Sequence, residues 1–181
     1  MSTTRQLTLT ALSAALLCVL APLSIPVGPV PLSLATLIVM LTPYLLGTGK
    51  SVIAVALYLG LGAAGLPVFS GWTGGLAKLA GPTGGYLVGY LLLALAAGLT
   101  LKGTGGRFWL TAAGFALGTL LLYAVGTAWL MIATEMTLPA ALAAGVLPFL
   151  PGDAVKIALA AKCGPLLAKA KGNPPCTKES N

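Results

Sequence analysis

Long apolar runs, separated by glycines, prolines and a few charges, dominate the chain and predict six membrane spans. The first covers residues 7–25, roughly 19 residues or about 28 Å of helix, which is enough for a hydrocarbon core. Five more follow at 31–47, 51–66, 84–101, 109–132 and 139–167. A Gly/Pro-rich connection joins the third and fourth. The last run is long for a single span, and Pro148 and Pro151 interrupt it. A proline inside a helix removes a backbone donor and clashes with the preceding turn. The pattern therefore predicts a broken or re-entrant entry, with helix from Gly152 onward, and an all-α integral membrane domain over residues 1–171 with a short polar tail at 172–181.

Composition agrees with spans and excludes a soluble domain. Hydrophobic residues make up 57% of the chain and charged ones 7%, against about a quarter charged in soluble proteins; mean hydropathy is +0.99. The net charge of +7 comes from ten basic residues scattered between apolar runs. No groove-lining basic stripe forms, so nucleic acid is not an expected partner. Topology accounts for the charges instead. With the N-terminus cytoplasmic, Arg5, Lys50, Lys102, Arg107, Lys162, Lys169, Lys171 and Lys178 gather inside, while Lys78 and Glu135 lie outside. The positive-inside rule then predicts both termini in the cytoplasm. Arg5 ahead of an apolar core resembles a signal peptide, but Pro22 directly after Ala21 argues against cleavage there, so residues 7–25 read as a retained helix.

No enzyme constellation can be assembled. The chain has no histidine, which removes a Ser-His-Asp triad and any histidine metal site. Cys18, Cys163 and Cys176 lack metal-ligand spacing. Residues 81–85, Gly-Pro-Thr-Gly-Gly, resemble a phosphate loop without its Gly-Lys-Ser/Thr ending. No catalytic residue, metal or cofactor is expected, and the chain does not hydrolyse ATP itself.

Two charges stand apart from the rest. Asp153 is one of three acidic residues in the chain, and Lys156 follows it one helical turn later inside an apolar run. An ionisable group in a span costs several kcal/mol unless it pairs or faces a wet cavity, so this pair marks a functional site. The plainer reading is that Asp153 caps the helix after the Pro-Gly break and Lys156 pairs with it. Small residues at i, i+4 (Ala11 and Ala15, Gly85 and Gly89, Gly114 and Gly118) let helix backbones approach closely in lipid.

Residues 62–69 (Gly-Ala-Ala-Gly-Leu-Pro-Val-Phe), the pair Gly74-Gly75, residues 81–87 (Gly-Pro-Thr-Gly-Gly-Tyr-Leu) and residues 145–153 (Gly-Val-Leu-Pro-Phe-Leu-Pro-Gly-Asp) with Lys156 together resemble the BioY family, over about residues 5–168. These are biotin-specific S-components of energy-coupling factor (ECF) transporters. The resemblance implies a six-helix S-component fold in a prokaryotic cell membrane, a biotin pocket opening outward, and three partners: a transmembrane coupling subunit and two cytoplasmic ATPases. Asp153 would accept from a ureido N–H, and Lys156 would donate to the ureido carbonyl or neutralise the carboxylate. Phe69, Trp72 and Tyr86 would wall the apolar body, although Trp72 and Tyr86 also suit interfacial anchors. Gly75 joins the expected ligand set. Lys78 would steer an anion or stay solvated, and Ala11 and Ala15 resemble a face used against the coupling subunit. Where family members commonly read Val-Pro-Val-Thr-Leu-Gln, this chain has Val30-Pro31-Leu32-Ser33-Leu34-Ala35, without a polar side chain at Ala35. A self-sufficient carrier and a ligand-free membrane scaffold are the two rival readings.

Overall fold

In lipid no water satisfies the backbone, so nearly every peptide group must be bonded within a helix. The computed structural model describes residues 3–26 and 29–170. Val27, Gly28, Lys171, Cys176, Lys178, Glu179 and the tail at 172–181 lie outside the described residues. The described residues form, in order, α1 (Thr3–Leu20), a hairpin of β1 (Ser24–Ile25) and β2 (Leu32–Ser33), α2 (Ala35–Leu46), α3 (Thr48–Ala63), α4 (Leu76–Ala80), α5 (Gly84–Thr104), α6 (Phe108–Thr134), α7 (Leu138–Gly145) and α8 (Leu150–Ala170).

By length and composition α5 and α6 can each cross a membrane, and α7 with α8 forms one broken span bent by 50°. Of the other apolar helices, α1 and α2 are shorter than the runs that predict them, and α3 is as long as its run but begins three residues earlier. α1 stops at Leu20 because Pro22 has no N–H to continue the ladder. Residues 24–25, expected as helix, pair instead with 32–33 in the antiparallel register Ser24↔Ser33, Ile25↔Leu32. α2 therefore starts at Ala35, where the Ser33 hydroxyl accepts the Ala35 N–H at 3.3 Å. Its 12 residues span about 18 Å. Pro43 inside α2 cannot donate to the Val39 carbonyl, and the Thr42 hydroxyl donates there instead at 2.8 Å.

The α7–α8 break has a backbone consequence. In a continuous helix the Gly145 carbonyl would take the Phe149 N–H, but Phe149 donates to Val146 at 2.9 Å. The freed Gly145 carbonyl accepts the Tyr86 hydroxyl at 3.0 Å. α8 begins at Leu150, two residues before Gly152, since Pro151 in the first turn needs no intrahelical donor.

α5 and α6 make the most extensive helix pair, and glycines on both sides permit it. A Cβ at Gly85 would overlap Trp129, and one at Gly89 would stand 3.2 Å from Leu122 Cγ. On α6 a Cβ at Gly118 would stand 3.1 Å from both Ala96 Cβ and Leu93 Cδ1. Without a hydrophobic drive between helices, such close backbone approach supplies the attraction.

The bundle has two chemically distinct ends. At one, the Gly71 N–H bonds to the Pro22 carbonyl at 3.1 Å and the Trp129 indole bonds to the Gly81 carbonyl at 3.0 Å. This ties the exit of α1, the 67–83 connection and the exit of α6 together. At the other, Lys50 donates to Gln6, and Thr104 and Thr111 share a hydrogen bond of 3.1 Å. Asp153 and Lys156 enter from the first end, at the start of α8.

Candidate functional site

Asp153 stands in the first turn of α8, where the helix dipole favours a carboxylate. It is 4% exposed and Lys156 8%, so both charges have left water, at a cost that only excellent geometry repays. That geometry is present. Lys156 Nζ donates to Asp153 Oδ1 at 2.9 Å, to the Ser33 carbonyl at 2.7 Å and to Thr36 Oγ1 at 3.1 Å. An ammonium has three protons, and all three are used. Thr36 Oγ1 in turn donates to Asp153 Oδ1 at 3.2 Å. The Tyr123 hydroxyl donates to Asp153 Oδ2 at 2.5 Å. Side chains from α2, α6 and α8 thus converge on one carboxylate, and the backbone of β2 accepts from the lysine paired with it. A capping role alone does not account for a carboxylate whose oxygens are met by side chains of three helices.

This network forms part of the wall of a recess of about 340 Å³, with Tyr86, Tyr90 and Phe149 among its other lining residues. A neighbouring recess of about 280 Å³ is lined by Phe69, Ser70, Lys78 and Thr83 and shares Val30, Pro31, Tyr86 and Tyr90 with the first. These volumes include open solvent, and the space free for a water-sized sphere is only about 40 Å³ in the first recess and 20 Å³ in the second. Together they make one elongated cleft with an ionic end and an opposite end beside the 67–83 connection. A molecule entering it would meet polar groups at both tips.

The sequence-predicted residues divide between lining and support. Asp153, Lys156 and Tyr86 line the first recess, and Phe69, Lys78 and Tyr86 the second. Phe69 also packs edge-on against Tyr58, with ring centroids 5.6 Å apart, and fills the space a side chain at Gly62 would need. Trp72 is not in either lining. It sits at φ 58° in the tight turn that bridges Phe69 to Thr73, and it is 60% exposed. Gly75 is outside the lining as well, at φ 92° before α4, where its N–H bonds to the Gly62 carbonyl at 2.7 Å. Ala11 and Ala15 are both exposed on α1, away from the cleft. Ala35 is buried and also outside the lining, and the polar contact from this part of α2 comes from Thr36.

Sequence reasoning passed over Thr36, Tyr90, Tyr123 and Thr83. A signal for two of them existed. Thr119, Tyr123 and Thr127 recur at i, i+4 within a long apolar run, as do Tyr86 and Tyr90. A hydroxyl at membrane depth needs a partner, and a stripe of them predicts a polar face turned inward.

Comparison with known proteins places this geometry. A family model described as the BioY family matches residues 1–173. A protein of Thermotoga maritima named biotin transporter BioY is 41% identical over 157 residues, covering 87% of this chain and 92% of its own. A probable biotin transporter BioY of Pyrococcus horikoshii is 38% identical, covering 86% and 91%. The crystal structure of an S-component for biotin from an ECF-type ABC transporter superposes with a TM-score of 0.86 at 31% identity, covering 93% of this chain and 95% of that one.

Removing one member of a buried ion pair strands the other. We expect Lys156→Met to lower the unfolding free energy of the detergent-purified protein by about 3 kcal/mol. The double variant with Asp153→Asn is expected to recover most of that loss, because no unpaired charge remains. Thermal unfolding of the three proteins measures both effects, and equal destabilisation of single and double variants would refute the account.

Proposed function

The chain belongs to the BioY family, whose members are transporter subunits rather than enzymes, and we propose from that premise that it captures biotin outside the cell as the S-component of an ECF transporter. The observation that carries the reading is the Asp153 carboxylate, buried in the wall of an aromatic recess with Oδ2 bonded to Tyr123 alone among the described residues. A carboxylate oxygen has two acceptor positions. The second on Oδ2 suits a ureido N–H, in a charge-assisted bond that is stronger than a neutral one.

Lys156 takes a different part from direct capture. With its three protons on Asp153, Ser33 and Thr36, it holds the carboxylate in place. Tyr86 and Tyr90 then offer ring faces to the bicyclic body of biotin, which is largely apolar. Phe69 and Lys78 line the second recess, where the valerate chain runs toward its carboxylate.

Six spans and cytoplasmic termini complete the reading. The end opposite the cleft carries Lys50 and Lys102 in the described helices, and the cleft end carries Lys78 and Glu135. The positive-inside rule puts the former end in the cytoplasm and opens the cleft outward. Transport then depends on a coupling subunit and two ATPases, because the chain carries no phosphate-binding loop with its lysine. The exposed Ala11 and Ala15 provide a small-residue face on α1 for the coupling subunit.

Binding is tested by calorimetric titration of biotin into detergent-purified protein. Asp153→Asn replaces an acceptor with an amide and should weaken binding by about 2–4 kcal/mol. Lys78→Ala, at a half-exposed position, should cost less than about 1 kcal/mol. Equal affinity of the two variants would reject Asp153 as the ligand's acceptor.

Docking is tested with Ala15→Trp, which places a ring where two backbones should meet. This variant should still bind biotin yet fail to co-purify with the coupling subunit, and ATP-driven uptake into proteoliposomes should stop. Normal uptake would assign that face of α1 to lipid. Orientation is checked in a background lacking the native cysteines, with single cysteines at Ser70 and Thr104. Labelling of intact cells by an impermeant maleimide should occur at Ser70 and not at Thr104; the reverse pattern would invert the topology.

A further inference from the structure

The end of the bundle opposite the cleft holds positive charge that no carboxylate among the described residues answers. Lys102 lies in the last turn of α5 and Arg107 is the N-cap of α6, on either side of a turn built from Gly105 at φ 59° and Gly106 at φ 80°. Both basic side chains are exposed. The acids among the described residues, Asp153 and Glu135, stand at the cleft end, and the ion pair there is that of Asp153 with Lys156. An anion has a clear approach to the turn. No side chain projects from Gly103, Gly105 or Gly106, a Cβ at Gly103 would meet nothing within 4 Å, and no side chain caps the first-turn N–H groups of α6.

The length of α6 sets the depth of this turn in the membrane. Its 27 residues run for roughly 40 Å, about 10 Å more than a hydrocarbon core, so its ends stand among lipid headgroups. Trp109 and Trp129 mark the two boundaries. They lie roughly 30 Å apart along the axis, the thickness of the core itself, and tryptophan favours that boundary. Trp129 is tied to the Gly81 carbonyl at the cleft end. Trp109, at the other end, is 81% exposed, with its ring edge-on to Phe108 at 5.0 Å. Below it the exposed Leu110, Leu117 and Leu121, spaced i, i+7 and i+11 on one helix face, continue the apolar surface into the bilayer.

We propose that the α5–α6 turn is a binding site for an anionic phospholipid, with the Arg107 guanidinium forking onto the phosphate, Lys102 adding a second positive charge and Trp109 packing at the level of the glycerol. Charge complementarity selects the occupant. An anionic headgroup meets two cations and the N-terminus of a long helix, whereas a zwitterionic headgroup brings an ammonium of its own to an end where no carboxylate of the described residues can receive it. An acyl chain of the same lipid runs down α6 along Leu110, Leu117 and Leu121. The site lies at the far end of the bundle from the cleft and is independent of what the cleft holds.

The test uses the full chain with Trp72→Phe and Trp129→Phe, which leave Trp109 as the sole tryptophan, reconstituted in bilayers containing phosphatidylglycerol or phosphatidylcholine brominated on an acyl chain. Quenching of Trp109 at graded mole fractions gives the relative affinity of its lipid neighbours. Phosphatidylglycerol should be preferred about tenfold; Lys102→Gln and Arg107→Gln should each reduce the preference to about threefold, and the double variant to about parity. Exchanging the two cations, Lys102→Arg with Arg107→Lys, should retain at least about half of it. Lys162→Gln removes an exposed charge on α8 and should leave it unchanged. Native mass spectra of the detergent-purified protein with all three tryptophans in place should rank the charge variants in the same order when the two lipids are added together. Equal quenching by the two lipids in the parent protein, an unchanged preference in the double variant, or a loss in Lys162→Gln as large as in Arg107→Gln would overturn the site. So would a double variant that keeps its lipid preference but no longer co-purifies with the coupling subunit, since the turn would then dock protein.

Discussion

The cleft end of this bundle depends on finding partners for one carboxylate buried where water is absent. The Asp153–Lys156 pair is a local one, three residues apart on a single helix, and by itself would stabilise little against the desolvation of both ions. What makes it tenable is the arrival of three further partners from outside α8: Thr36, Tyr123 and the Ser33 carbonyl. Each of those groups would itself be costly to bury alone. The network is consequently a mutual condition on the packing of α2, α6 and α8, and through the Ser33 carbonyl it hydrogen-bonds the β1–β2 hairpin to Lys156 of α8.

The helices can satisfy that condition because side chains have been cleared from their contact lines. Gly85, Gly89 and Gly118 bring α5 and α6 together, and the bend between α7 and α8 releases a carbonyl that Tyr86 then occupies. Proline, which would be disruptive elsewhere, is compensated where it occurs. Thr42 answers for the donor missing at Pro43, and Pro151 sits where no donor is needed. Irregular backbone in this bundle is placed where hydroxyls or the cleft can meet it.

Much of this was legible in the amino-acid sequence, for reasons that also explain what was not. The helical, membrane-embedded fold follows from apolar runs and breakers, and the rarity of acids made Asp153 conspicuous. Helix ends near Pro22 and Pro31 were overrun because hydropathy does not distinguish a two-residue strand from the last turn of a helix. Trp72 was grouped with the ligand wall from its aromatic character, but its backbone lies in a left-handed turn facing solvent. Thr36 was missed because single threonines and serines are frequent in membrane helices, where they bond to the carbonyl one turn back, as Thr10, Ser13, Thr100 and Thr119 do here. Only tertiary placement separates those from hydroxyls that reach another helix.

Tyr86 illustrates what such placement means for recognition. Its ring fills the space that a Cβ at Gly126 would occupy and its hydroxyl the space of one at Gly145, and that hydroxyl is held by the Gly145 carbonyl. The ring is therefore confined to one rotamer before any ligand arrives. Ordering a side chain of this kind during association costs roughly 0.5–1.5 kcal/mol. Here that entropy has already been surrendered in folding, so Gly126, which lies outside the lining, and Gly145, which is part of it, together set some of the affinity of whatever enters the cleft.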